Sequence, residues 1–152
     1  MLYRGKDEDT GVWYTGDHYV VPAPPQCFAN EQEQDTHYIV FKDPHYLPDW
    51  NMPYRMVRSN VIPESVGLET GETDMCGCIA FQGDIIKYDG VIGIIRFGKY
   101  QNPCECATHI GFYVDWQDKN KRMDWRNDLC YWLKKTEIIG NVVDNSDLLT
   151  DV

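Results

Sequence analysis

Residues 83–98 read Gly-Asp-Ile-Ile-Lys-Tyr-Asp-Gly-Val-Ile-Gly-Ile-Ile-Arg-Phe-Gly, and this stretch limits the fold more than any other. Two β-rich runs, Ile85–Tyr88 and Val91–Phe97, are separated by Asp89-Gly90 alone. A two-residue type I′ turn needs φ > 0 at both central positions, which Asp-Gly supplies at low steric cost. The pattern predicts an antiparallel hairpin. Gly83 gives the entry to its first strand an otherwise closed backbone conformation, and Asp84 is placed to accept hydrogen bonds from turn amides.

The rest of the chain carries the same signature of short strands and many turns. An acidic turn, Asp7-Glu8-Asp9-Thr10-Gly11, leads to Val12-Trp13-Tyr14, and Thr15-Gly16-Asp17 then turns the chain into His18–Val21, which predicts a hairpin turning at Gly16. Pro22, Pro24 and Pro25 end that unit, since proline donates nothing to a ladder. Asn30–Gln34 reads as a solvated loop and His37–Phe41 as a strand. Asp43–Pro53 holds three prolines together with Tyr46 and Trp50, and Tyr54 follows it. It reads as an irregular loop whose aromatics partly cover the core, with an aromatic ligand groove as the alternative. Pro63 biases Ile62 toward an extended backbone.

Turn signals at Gly67, Thr70-Gly71, Thr73-Asp74 and Gly77 fill the approach to the central hairpin. Gly93 reads as a bulge or a close approach. Lys99–Thr108 reads as a loop. His109–Trp116 alternates with period two, which places Ile110, Phe112, Val114 and Trp116 on the buried face. Gln117–Arg126 reads as a solvated charged loop, Asn127-Asp128 as the cap of a short helix over Leu129–Leu133, and Glu137–Val143 as the last strand. Asn145-Ser146-Asp147 caps a terminal turn at Leu148-Leu149. Little helical periodicity and no internal repeat point to a small barrel or sandwich.

Composition narrows the function classes. The 152 residues are 43% hydrophobic and 13% aromatic, enough for a core, with no apolar run of the ~20 residues that a spanning helix needs. The first residues, Met-Leu-Tyr-Arg-Gly-Lys-Asp, lack the apolar centre of a secretion signal, so a soluble, cytoplasmic protein is expected. The six cysteines are then expected as reduced thiols. Net charge is −10, concentrated in residues 1–76, where 13 acidic side chains face five basic ones. That sign repels phosphate backbones and argues against general nucleic-acid binding.

A family resemblance rests on four stretches. The chain opens with Tyr3-Arg4-Gly5-Lys6 and Gly11-Val12-Trp13-Tyr14-Thr15-Gly16-Asp17. Val61-Ile62-Pro63-Glu64-Ser65-Val66-Gly67 and Thr70-Gly71 then lead to Gly83-Asp84-Ile85-Ile86. His109–Trp116 and Ile138–Leu149 complete the series. In order and approximate spacing these resemble the YopX family of phage and prophage proteins across nearly the whole chain. The resemblance implies a β-rich fold whose C-terminal part is an SH3-type small barrel, and an origin in a phage or prophage. It implies no activity and no catalytic residues. The chain departs from the pattern at Met75-Cys76-Gly77-Cys78-Ile79, where a polar Asn-Gly-type turn is usual, and at Ser146, where proline is common.

Three places carry residues of candidate chemistry. Cys76 with Cys78 and Cys104 with Cys106 could each present two thiolates to one side, with His109 as a substitute, which together would make a structural zinc site. The competing reading is free thiols. His18, His37, His45 and His109 have no serine or cysteine in a nucleophile-elbow setting. Asp84 has no partner carboxylate or base at a telling spacing.

The expectation is therefore a mainly β protein. Residues 1–59 form a β-hairpin and irregular subdomain packed on an SH3-like small barrel at 60–152. It is non-enzymatic, with no catalytic, cofactor or metal residues assigned. Its partner is another protein, and exposed strand edges leave homo-oligomerisation open. The alternative is a small zinc-stabilised or nucleic-acid-associated module.

Overall fold

The computed structural model describes residues 1–25, 34–103, 105–118, 122–123 and 125–149. The expected loop at Asn30–Gln34 therefore lies almost entirely outside the described residues. The chain is mainly β, all ladders are antiparallel, and it divides into two compact units, Met1–Leu68 and Glu69–Val152.

Unit 1 contains β1 (Tyr3–Lys6), β2 (Trp13–Val21), β3 (Thr36–Lys42) and β4 (Met56–Val61), paired in the order β4-β3-β2-β1. The first residues of β5 (Gly67–Thr73) close on the free edge of β1, with Arg4 opposite Gly67. The acidic turn at Asp7–Gly11 forms as expected and joins β1 to β2, but the chain does not turn at Gly16. Residues 13–21 form one continuous strand, and the turn is Asp7–Val12. There Asp7 Oδ1 accepts the Asp9 and Thr10 amides at 3.1 and 2.7 Å, and Gly11 takes φ +70°. Gly16 is glycine for another reason: a Cβ there would lie 1.9 Å from the Val40 carbonyl oxygen. Close backbone approach and turn geometry leave the same letter in a sequence. Ile39 and Val61 are the buried apolar centre, with Gly5 beneath them.

Ile62 is extended before Pro63, which opens a single 3-10 turn over Pro63–Ser65. Gly67 lies in a strand rather than a turn. Gly71 (φ +78°) sits where the β5 register slips between Glu69 and Thr73, a bulge rather than a chain reversal.

In unit 2 the remainder of β5 pairs with β6 (Ile79–Phe81). A four-stranded sheet follows, with β7 (Asp84–Tyr88), β8 (Val91–Gln101), β9 (Thr108–Trp116) and β10 (Ile138–Asn141) in the order β10-β7-β8-β9. The central hairpin forms as the sequence predicts. Asp89 (φ +46°) and Gly90 (φ +79°) both take the left-handed conformation, and Ile85 pairs with Ile94. Gly83 has φ +89°, and the buried Asp84 carboxylate accepts the Phe81 amide at 2.8 Å. The sheet is open, with β9 and β10 as its edges, where a closed barrel was expected. β7 pairs β8 over Val91–Ile94 and the Gly83 amide donates to the Ile95 carbonyl at 2.8 Å, so among the described residues β8 from Arg96 onward has only β9 as its ladder partner.

The core of unit 2 collects Ile86, Ile95, Val114, Trp116, Leu129 and Trp132, among others. Trp132 packs edge-on against Trp116, with ring centroids 4.9 Å apart, and donates its indole N–H to the Arg126 carbonyl. Gly93 lies under Trp116: a Cβ would meet its ring at 2.8 Å, the close approach expected of it. The helix α1 (Leu129–Leu133) forms where expected, but its cap differs. Asp128 makes no side-chain cap bond, because its carboxylate is drawn to Tyr100, Asn102 and Arg126.

Candidate functional site

The loop between β3 and β4 is built to present apolar side chains outward. Its neck is closed by backbone and charge together. The Asp43 amide donates to the Arg55 carbonyl at 2.8 Å, and the Asp43 carboxylate holds the Arg55 guanidinium. The same carboxylate accepts the His45 amide, and Arg55, the first of these partners, keeps the Asp43 carboxyl below its usual range. At the tip Asp49 Oδ1 accepts the amides of Asn51 and Met52 at 2.9 and 2.7 Å. These Asx turns order a segment with three prolines by local hydrogen bonds.

The aromatics expected to cover the core face away from it. Trp50 is 93% exposed, Leu47 87%, Tyr54 54% and Met52 52%. Tyr54 lies under the Lys42 ammonium and Tyr46 under Arg55. A single exposed apolar residue is ordinary, whereas here four lie within eight positions on a hydrogen-bonded loop. The sequence could not separate the two readings, because burial depends on what the loop packs against.

A second cluster lies on the β8–β9 ribbon. Tyr100 donates to Asp128 Oδ1 at 2.9 Å, while Asn102 and Arg126 donate to Oδ2 at 3.1 and 2.7 Å. Burial pushes the Asp128 carboxyl upward, but these donors, Arg126 foremost, outweigh it and hold the group below its usual range. Burial, with the Asp128 bond, pushes the Tyr100 phenol up to about 12. The Tyr100 ring stacks between His109 and Tyr113 at 5.2 and 5.4 Å, and His109 meets Glu105 at 2.6 Å. The Asn127 amide donates to Asn102 Oδ1 at 2.9 Å and its side chain to the Gln101 carbonyl at 3.0 Å, so the cluster ties the end of β8 to 126–128.

The cysteine segment is organised by a residue that the sequence reading did not single out. Asp74 is buried, and its Oδ1 accepts the Cys76 and Cys78 amides at 2.9 and 2.8 Å while Oδ2 accepts Ile138 at 3.0 Å. The Thr73-Asp74 turn signal was its only trace. Cys76 and Cys78 are exposed in a turn rather than a strand, and Glu137 beside Cys76 pushes that thiol up. Cys106 is also exposed, and Cys104 lies outside the described residues. Among the described residues no group of three or more His, Cys, Asp or Glu is placed to hold a metal ion.

Asp84 serves its turn. His18 and His37 pair with each other in unit 1, Nε2 to Nδ1 at 3.0 Å. With ring centroids 5.2 Å apart they meet nearly end to end, the geometry of one shared proton. Burial, then the His37 charge, lowers the His18 pKa. Among the described residues no helix is long and apolar enough to cross a membrane.

Comparison with family profiles, with characterised proteins and with solved structures returns no match.

Proposed function

We propose that the protein is a non-enzymatic accessory protein of phage or prophage origin, a member of the YopX family, that works in the cytoplasm by binding another protein. One observation carries the binding role: the clamped loop at 43–56 presents Trp50 and Leu47 almost fully to solvent. Tryptophan anchors dominate protein interfaces because a large rigid ring loses little entropy on burial. Net charge of −10 supports a protein partner over a phosphate backbone. The four quoted stretches support the family, and the family reading carries with it an SH3-like roll for residues 60–152, built on the open sheet of unit 2. The zinc-stabilised alternative stands on Cys76, Cys78, Cys104 and Cys106, and zinc near one equivalent in protein purified without added metal would support it.

One observation favours a nucleic-acid reading. The outer face of unit 1 carries Arg58 over the Tyr38 ring at 4.6 Å and Arg4 over Trp13 at 5.0 Å. Tyr19 and Tyr38 stack on each other, however, and Arg58 also donates to the Tyr19 hydroxyl at 2.7 Å. Those ring faces are covered within the sheet, which favours the protein partner.

The test is affinity capture from host lysate with the wild-type chain and with Trp50→Ala. A protein recovered by the first and lost by the second supports the reading. Identical recovery by both, or recovery of nucleic acid alone, overturns it.

A further inference from the structure

β9 is an edge strand whose outer side is only partly occupied. Val114 donates its amide to the Asn127 carbonyl at 2.9 Å, and Tyr113 bridges to Asp128. In an antiparallel ladder alternate residues turn their backbone groups to opposite sides. Thr108, Ile110 and Phe112 share the parity of Val114 and so turn N–H and C=O away from β8. Among the described residues no backbone partner meets them there.

Natural edge strands are blunted by proline, lysine, bulges or a covering segment. Thr108–Phe112 (Thr-His-Ile-Gly-Phe) has no proline or lysine and pairs with β8 in unbroken register. One face of the ribbon beside this edge groups Phe97, Ile110 and Phe112, with Lys99 opposite Ile110 and Gln101 opposite Thr108. Phe97 and Phe112 meet edge to face at 5.0 Å, and Ile110 is 71% and Phe97 49% exposed.

We propose that a second copy of this chain pairs with this edge, antiparallel, about a two-fold axis through Ile110. In that register Ile110 faces Ile110, and Thr108 of each copy faces Phe112 of the other. All three free outward residues are used, and pairing stops before Val114, which Asn127 already occupies. On one face the Phe97, Ile110 and Phe112 side chains of both copies form one cluster. On the other face His109 comes opposite Gly111 of the second copy, where an added Cβ would meet nothing within 4 Å, so the imidazole has room. The paired segment Thr108–Phe112 carries no carboxylate or ammonium, so residues directly opposite across the pairing set no like charges against each other although each chain is at −10. The surface is self-complementary in a way that an unrelated strand would not be. At the small end of stable interfaces, it should give a concentration-dependent monomer–dimer equilibrium.

Sedimentation velocity over a concentration series tests this. The wild-type chain should pass from monomer to dimer. Ile110→Lys places two ammonium groups on the axis and should stay monomeric throughout, with the far-UV circular dichroism and melting temperature of the wild type, since the side chain is exposed. Hydrogen-bonded strand residues face each other with Cα atoms about 5.5 Å apart, within disulfide reach. Ile110→Cys should therefore cross-link through residue 110 on mild oxidation, as located by peptide mapping, while Gly111→Cys should not link through 111. A wild-type monomer at every concentration overturns the proposal. So does a dimer indifferent to Ile110→Lys, or a 111–111 link in place of 110–110.

Discussion

Unit 1 and unit 2 are both antiparallel, and they use their large side chains in opposite ways. Among the described residues Ile39 and Val61 are the buried hydrophobics of unit 1, whereas unit 2 buries fourteen, Trp116 and Trp132 included. Among the described residues of unit 1, Trp13, Tyr19 and Tyr38 lie on the outer sheet face, Tyr14 and Phe41 stack half-buried on the face of Ile39, and Trp50 and Tyr54 are exposed on the loop at 43–56. A region with few buried apolar contacts opens more readily and is where binding surfaces are commonly drawn from. Among the described residues unit 2 has the larger buried core, and unit 1 exposes more large hydrophobic side chains.

The largest test of that contrast is Trp132→Ala. Deleting a fully buried indole should cost about 3–5 kcal/mol, read as a lower midpoint in urea denaturation. A loss below about 1 kcal/mol would mean that unit 2 has no more core than unit 1. Next is Gly16→Ala, which drives a methyl into the Val40 carbonyl. It should cost about 1–3 kcal/mol, with faster hydrogen exchange confined to the strands of unit 1.

Acid should then separate the units. The depressed His18 pKa means that the unfolded chain takes up a proton first. Stability of unit 1 is present above pH ~6.5 and falls as pH drops below it, through the folded value. Asp74 and Asp128 are carboxyls held low in unit 2, so that stability is lost only as pH falls below ~3.9, through their folded values. Exchange measured along a pH series should show β2 and β3 loosening before β7 and β8. Simultaneous loosening would remove the distinction. The smallest effect is that of Trp50→Ala, expected within about 0.5 kcal/mol of wild-type stability while partner capture is lost.

The reading of residues succeeded where one local rule sufficed. Asp89-Gly90 had to turn, Gly83-Asp84 had to open a strand, β-rich residues marked His37–Phe41 as a strand, and period-two alternation marked His109–Trp116. It failed where one residue type serves two purposes. Gly16 looked like a turn and is a contact. Asp128 looked like a helix cap and is a hydrogen-bond hub. The alternation that correctly buries Val114 and Trp116 also assigns Ile110 to the interior, but there β9 has outrun the strands that would cover it.

From the amino-acid order alone came the β class, the central hairpin, the strands of its neighbours and the acidity that disfavours a phosphate partner. Those properties depend on φ preferences, side-chain period and charge, each set within a few residues. The open sheet, the outward loop at 43–56, the Asp74 turn and the bare edge of β9 were decided by tertiary structure. Burial and edge exposure depend on which distant segments arrive to cover a residue, and no local preference encodes that arrival.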